Sequence, residues 1–202
     1  MANVTTLVNT FKKAFADISE VRWSDGDVNT TTLASHTWDK QLPVMTDSGF
    51  DFNQDDPTIN SGKVFGLARD WWSTSEEGAV TLTLQMPSMA EGLLGWIWTK
   101  SAASVATASE KINGKTGTFK GAGYSLLTKC IEGTMMIISG DDKYALIVRH
   151  LKAYPSFAFS DPKSSPYAIK LTASLAGDVE TENAANDFDI AFLEFEEGEA
   201  NE

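Results

Sequence analysis

Cysteine is nearly absent from this chain: Cys130 stands alone among 202 residues. A single thiol excludes an intramolecular disulfide and favours synthesis in a reducing compartment. Histidine is scarce as well, with only His36 and His150. No CxxC or HxxxH-like spacing occurs, so a zinc site lacks its ligand pattern. A Cys–His nucleophile would need one of those imidazoles oriented on Cys130, and nothing in the sequence does this; surface or strand-end histidines are the plainer reading. No apolar run approaches the roughly 20 residues of a membrane-spanning helix. The N-terminal stretch MANVTTLVNTFKKAF lacks the basic-then-apolar layout of a signal peptide. No membrane insertion is expected.

Other catalytic signatures are missing too. GxSxG does not occur. GKTG at Gly114–Gly117 resembles part of a phosphate loop, but the glycine required upstream is absent and no helix begins after Thr116. Asp47, Asp51, Asp55 and Asp56 crowd together, yet their spacing fails the calcium loop that alternates acids and places Gly sixth and Glu twelfth. A solvated loop is the default for such a cluster. The expectation is a non-enzyme with no catalytic residue, no metal and no cofactor.

Positive charge is also short, and unevenly so. The formal net charge is −12. Of the 28 acids, ten lie between Gly177 and Glu202, where no Lys or Arg occurs; residues 1–176 hold the other 18 against 16 bases. The acidity therefore belongs largely to the last strand and tail. A basic footprint for tight nucleic-acid binding is missing. An acidic surface suits DNA only where DNA must pass without sticking.

What is present is a regular alternation of apolar and polar residues. In Gly78–Trp98, Val80, Leu82, Leu84 and Met86 point one way while Thr81, Thr83 and Gln85 point the other, the period of a half-buried strand. Pro87 ends that ladder. Ser88 and Glu91 have capping-box spacing, and Met89, Leu93, Leu94, Ile97 and Trp98 follow at helical intervals. Tyr167–Leu175 alternates as cleanly, with Ile169, Leu171, Ala173 and Leu175 on one face. Strands are also expected near 30–33, 63–72, 124–132, 134–139, 144–150, 157–159 and 187–195. Turns are expected at 73–78 and Gly140-Asp141-Asp142, about the prolines at 155, 162 and 166, and at Asn113–Gly114, which is hairpin chemistry. Residues 99–108 read as a small-residue connection. The sum is seven or eight strands with one or two helices, a mainly β fold of sandwich or barrel type. With an apolar fraction of 42%, a single β-rich domain spanning 1–202 is the prior.

Three segments flank this sheet. Val4, Leu7, Val8, Phe11, Phe15 and Ile18 repeat at helix period, predicting an amphipathic arm over about 1–22. It packs either on its own domain or on a neighbouring subunit. Residues 22–62 are irregular, with a long loop at about 34–62 carrying Phe50, Phe52 and Ile59 among polar residues. A solvated linker rarely needs those side chains, so the loop is expected to dock on something. The tail, about 194–202, is acidic. Among the six tryptophans, Trp71, Trp72, Trp96 and Trp98 cluster about one strand and helix; Trp96 lies off the apolar face and is the better interface candidate.

The order of elements from residue 60 to 195 resembles the tail tube proteins of tailed bacteriophages and related injection machines. The segments VTLTLQMPSMAEGLLGWIW and PYAIKLTASLAGD carry the likeness. It implies a β-sandwich or barrel with a flanking helix and copies that close into rings, usually hexameric. Stacked rings would form a virion tail conduit, with other virion proteins as partners and DNA passing through the lumen without specific binding. It also implies synthesis in the host bacterial cytoplasm. Candidate inter-subunit contacts are Phe11, Phe15, Phe50, Phe52, Ile59 and Trp96. The outward partners of the alternating strands and the tail from Glu194 are candidate lumen acids. The N-terminal helix departs from the family core. That leaves room for another virion component, such as a head–tail connector, stopper or capsid decoration protein. A β-barrel binding a small ligand or glycan at the Trp cluster is the reading from a different class.

Overall fold

The computed structural model describes residues 15, 17–26, 28–44, 50–63, 65–66, 70, 72–76, 78–127, 129–158, 168–175 and 188–196. Among them the protein is mainly β, with fourteen strands and one α-helix. The strands are β1 (Glu20–Ser24), β2 (Lys40–Leu42), β3 (Phe50–Gln54), β4 (Thr58–Gly62), β5 (Trp72–Glu76), β6 (Val80–Met86), β7 (Thr99–Ala106), β8 (Glu110–Ile112), β9 (Lys115–Gly117), β10 (Lys120–Ser125), β11 (Ile131–Ile138), β12 (Tyr144–Ala158), β13 (Ala168–Leu175) and β14 (Ile190–Glu194). The helix α1 is Glu91–Ile97.

One antiparallel sheet forms the body, in the order β2-β1-β11-β12-β13-β6-β3, with β14 as a further partner of β12. The expected alternation in β6 is realised: Leu82, Leu84 and Met86 are fully buried. Ile169, Leu171 and Ala173 of β13 are buried likewise, set against β6 with Leu171 opposite Leu84. Together with Trp23, Met135, Ile137, Leu151 and Ile97 they form a single core. Helix α1 lies on it through Ile97 and through Trp98 just beyond its end, where Trp98 stacks on Phe157 with ring centroids 4.5 Å apart.

The 15-residue strand β12 organises the sheet. Its first part, Tyr144–Val148, pairs with β14, and its second, Leu151–Ala158, pairs with β13. Between the two, Met135 faces Val148 and Gly133 faces Leu151, so Arg149 and His150 together oppose Thr134. This is a β-bulge, and His150 has the positive φ (51°) common in one. Strict alternation from Leu146 and Val148 would aim Lys152 at the core. The extra residue instead returns Leu151 and Ala153 to it. Arg149 is buried at this bend; its backbone N–H donates to the Asp189 carbonyl, its guanidinium to the Phe188 carbonyl, each at 2.9 Å. Those bonds pin the entry of β14 to the bulge.

Several sequence expectations require correction. The region read as irregular contains β1 through β4. The Phe50 and Phe52 loop docks as β3 on β6, with Phe50 opposite Leu84. Residues 30–33 form a turn into a short 3-10 segment, not a strand. Residues 65–66 are a turn, Gly66 having φ +88°, and the strand begins only at Trp72, running through the expected turn at 73–76. The small-residue stretch after the helix is β7, and Pro155 lies inside β12. Pro155 is tolerated there because it sits beyond the last rung to β11, Ile131 opposite Ala153, where among the described residues β12 pairs with β13 alone. The expected helical arm over 1–22 gives way by Asp17, which has φ +62°, and residues 20–22 belong to β1. Helix α1 starts at Glu91 without a capping box: the Ser88 hydroxyl accepts the Ala90 N–H at 3.2 Å, and Glu91 pairs with Lys100. The rest of the N-terminal arm, Asp47, Trp71, Tyr167 and the acids from Asp178 to Asp187 lie outside the described residues.

Candidate assembly surface

Two long hairpins extend the fold beyond its core. In the first, the β3–β6 pair continues into β4–β5, where Thr58 faces Glu76 and Gly62 faces Trp72. Every residue of β5 is exposed, and so is every residue of β4 but Gly62. In the second, β7–β10 continues into β8–β9. The two parts are joined where the Thr107 N–H donates to the Phe119 carbonyl and the Phe119 N–H to the Thr107 hydroxyl. The tip is Asn113–Gly114, both at positive φ (48° and 79°), as a two-residue hairpin turn requires. Strands β4, β5, β8 and β9 are exposed apart from Gly62, so burial does not hold them in place. Their ladders do, which explains why alternation could not reveal them.

The root of the second hairpin is fixed through α1. Asp25, at the end of β1, accepts hydrogen bonds on Oδ1 from the indole N–H groups of both Trp23 and Trp96, each at 2.9 Å. Its Oδ2 pairs with Lys40 of β2 at 2.5 Å. The two indole rings meet edge to face at 5.5 Å, and the Lys40 ammonium lies 5.3 Å from the Trp96 ring centre. Desolvation opposes the Asp25 carboxylate, but the bonds from Lys40, Trp96 and Trp23 outweigh it, and Asp25 titrates below the ordinary carboxylate range. One carboxylate thus ties β1, β2 and α1 together.

A second feature is the β14 edge. Among the described residues β14 pairs with β12 alone. Phe192 is 76% exposed and Phe195 67%. Phe15, Tyr144, Phe192, Leu193 and Glu194 line an open concavity of about 410 Å³. Within β14, Ile190 packs on the core, whereas Phe192 is exposed.

The predicted contact residues fall into different settings. Phe15 joins Phe192 and Leu193 at the concavity. Ile59 stands 69% exposed on β4, opposite Ser75. Phe50 and Phe52 are half-buried against the core of their own chain, and Trp96 is half-buried and bonded to Asp25. Phe11 lies outside the described residues. Sequence reasoning missed Trp23, fully buried, and Asp25; the signal was that a buried indole N–H needs an acceptor. It also missed the exposed Ile112 and Phe119 of the second hairpin.

Cys130 contacts the Tyr154 hydroxyl, and that contact holds the phenol above its usual range. Among the described residues no group of three His, Cys, Asp or Glu side chains is placed to hold a metal ion, and no helix is long and apolar enough to cross a membrane. No family model and no curated protein matches the chain in sequence.

Proposed function

We propose that this chain is a self-assembling structural subunit of a phage virion, a tail tube protein whose copies close into rings that stack into a conduit for DNA. The observation that carries the self-association half of this reading is the pair of outer hairpin ladders, β4–β5 and β8–β9, whose strands bury almost nothing. Ile59, Trp72, Ile112 and Phe119 are all exposed on or beside them. A soluble monomer seldom displays so many large apolar groups on protruding ladders, because such groups gain from being covered. The tube half rests on the resemblance of the β6–α1 segment and of β13 to the tail tube pattern. The bent main sheet is then the barrel-like body, α1 its flanking helix, and the hairpins the arms between copies. The acidic C-terminal stretch suits a channel that phosphates traverse without adhering.

The reading is tested by light scattering and sedimentation of the purified full chain across concentration. A tube subunit gives discrete large species that grow with concentration. A single monomeric species at every concentration contradicts it and favours a ligand-binding domain.

A further inference from the structure

The chain enters its described fold beside the β14 edge, and it does so at a fixed point. A Cβ built on Gly140 would lie 2.8 Å from that of Asp17, so Asp17 rests directly on Gly140. Ile18 packs on the core. The Ser19 hydroxyl donates to the Asp142 carboxylate at 2.6 Å, and the Ser19 N–H to the Ile138 carbonyl at 3.0 Å. Asp17 and Ser19 are thus held on the turn between β11 and β12. That turn leads into Tyr144, which pairs with Glu194 of β14. Tyr144, Phe192, Leu193 and Glu194 line the concavity of about 410 Å³ on this edge. Its remaining wall is Phe15, two residues before the anchored Asp17.

We propose that the N-terminal segment of the same chain, residues 1–14, covers this concavity as an amphipathic helix. Those residues lie outside the ones described, but the point at which they leave the fold selects them as the occupant. Phe15 is the last member of the apolar stripe Val4, Leu7, Val8, Phe11 and Phe15, and it already sits with Phe192 and Leu193. Along a helix, Val4 would lie only about 17 Å from Phe15, so the rest of the stripe stays near the surface that its last member occupies. The positive φ of Asp17 (62°) is a conformation that ends a helix. A helix of about a dozen residues is marginal in water unless its apolar face is covered. The edge needs a cover for its own reason: among the described residues β14 pairs with β12 alone, and Phe192 is 76% exposed. Charge agrees. Residues 1–16 hold Lys12 and Lys13 and no acid, and Glu194 is the charged residue lining the concavity. Lys12 is three residues from Phe15, about 10 Å at full extension, which keeps both ammonium groups within reach of that carboxylate. The contact forms within one chain and holds whether or not copies assemble.

Trypsin tests this on the full chain, because the segment carries its own cleavage sites after Lys12 and Lys13. Cleavage there is followed by mass spectrometry in wild type, Leu7→Asp and Phe192→Asp, with circular dichroism confirming that each chain folds. The Phe192 side chain is exposed, so its replacement spares the core. Wild type is expected to be cut about tenfold more slowly than either variant. Combining the two substitutions should add little, since both open one contact. Rates that fail to rise in both variants overturn the proposal. A second measurement establishes whose segment is bound. Chains carrying Phe11→Cys and Phe192→Cys in a Cys130→Ser background are refolded together from unlabelled and isotope-labelled stocks and joined with a short bis-maleimide. Linked peptides of a single isotope are the expected product. Mixed pairs mean that the segment reaches a neighbouring copy, and no link at all means that it lies elsewhere; either result overturns the proposal.

Discussion

Replacing Asp25 separates the two ways its carboxylate holds the fold. In Asp25→Ala the Trp23 N–H loses its acceptor while the ring stays fully buried, which costs about 1–1.5 kcal/mol. The Trp96 N–H is half-buried and partly rehydrates, adding about 0.5 kcal/mol. The Lys40 pair is solvent-exposed and adds little. The total is about 2 kcal/mol, a fall in Tm of about 4–8 °C for a chain of this size. Asp25→Asn keeps an oxygen for both indoles but sets an amide N–H₂ against the Lys40 ammonium, so its cost is smaller, about 1 kcal/mol. Urea unfolding followed by tryptophan fluorescence measures both directly, since two of the reporters are the residues at issue. The pH dependence follows from the depressed pKa of Asp25. A carboxylate titrating lower in the folded than in the unfolded chain contributes stability that is complete above its unfolded pKa, about 4, and is lost as pH falls through the lower folded value. The gap between wild type and Asp25→Asn should therefore be full at pH 6 and shrink below pH 4. Equal stability of all three proteins at pH 6, or a gap that does not change with acid, would refute the role assigned to this carboxylate.

Other substitutions probe the sheet. A Cβ at Gly133 would lie 2.1 Å from the Ser24 carbonyl oxygen and 2.9 Å from the Trp23 ring, so Gly133→Ala should cost about 3 kcal/mol in denaturant titration. Leu84, buried at the centre of the β3–β6–β13 contact, should lose about 3 kcal/mol as Ala in the same assay. Gly114→Val meets no neighbour but demands φ +79° of a β-branched residue; hydrogen exchange should rise in 110–117 while the global unfolding midpoint stays within error.

The parts of this fold legible in the sequence are those in which one face is buried. Strands β6 and β13 alternate because Leu82, Leu84, Ile169 and Leu171 enter the core, and the Asn113–Gly114 turn is set by local backbone chemistry alone. The hairpin strands escaped notice for the opposite reason. WSTSE in β5 and TKSAASVA in β7 bury almost nothing, so no period-2 signal exists to be read. Strand β12 was divided into pieces because its bulge shifts the alternation at Arg149–His150 and Pro155 reads as a breaker. The Asp25 cluster joins residues 23, 25, 40 and 96, a proximity that only the tertiary fold creates. Of the candidate contacts, Phe15 and Ile59 stand exposed, whereas Phe50, Phe52 and Trp96 pack against the core of their own chain. Apolar spacing cannot say whether the surface it meets belongs to the same molecule.

Negative-stain electron microscopy of the purified full chain at high concentration tests the central claim most directly. Closed rings with an axial channel, alone or stacked end to end, are the predicted result. A field of separate compact particles of monomer size, with no ring at any concentration, would contradict it.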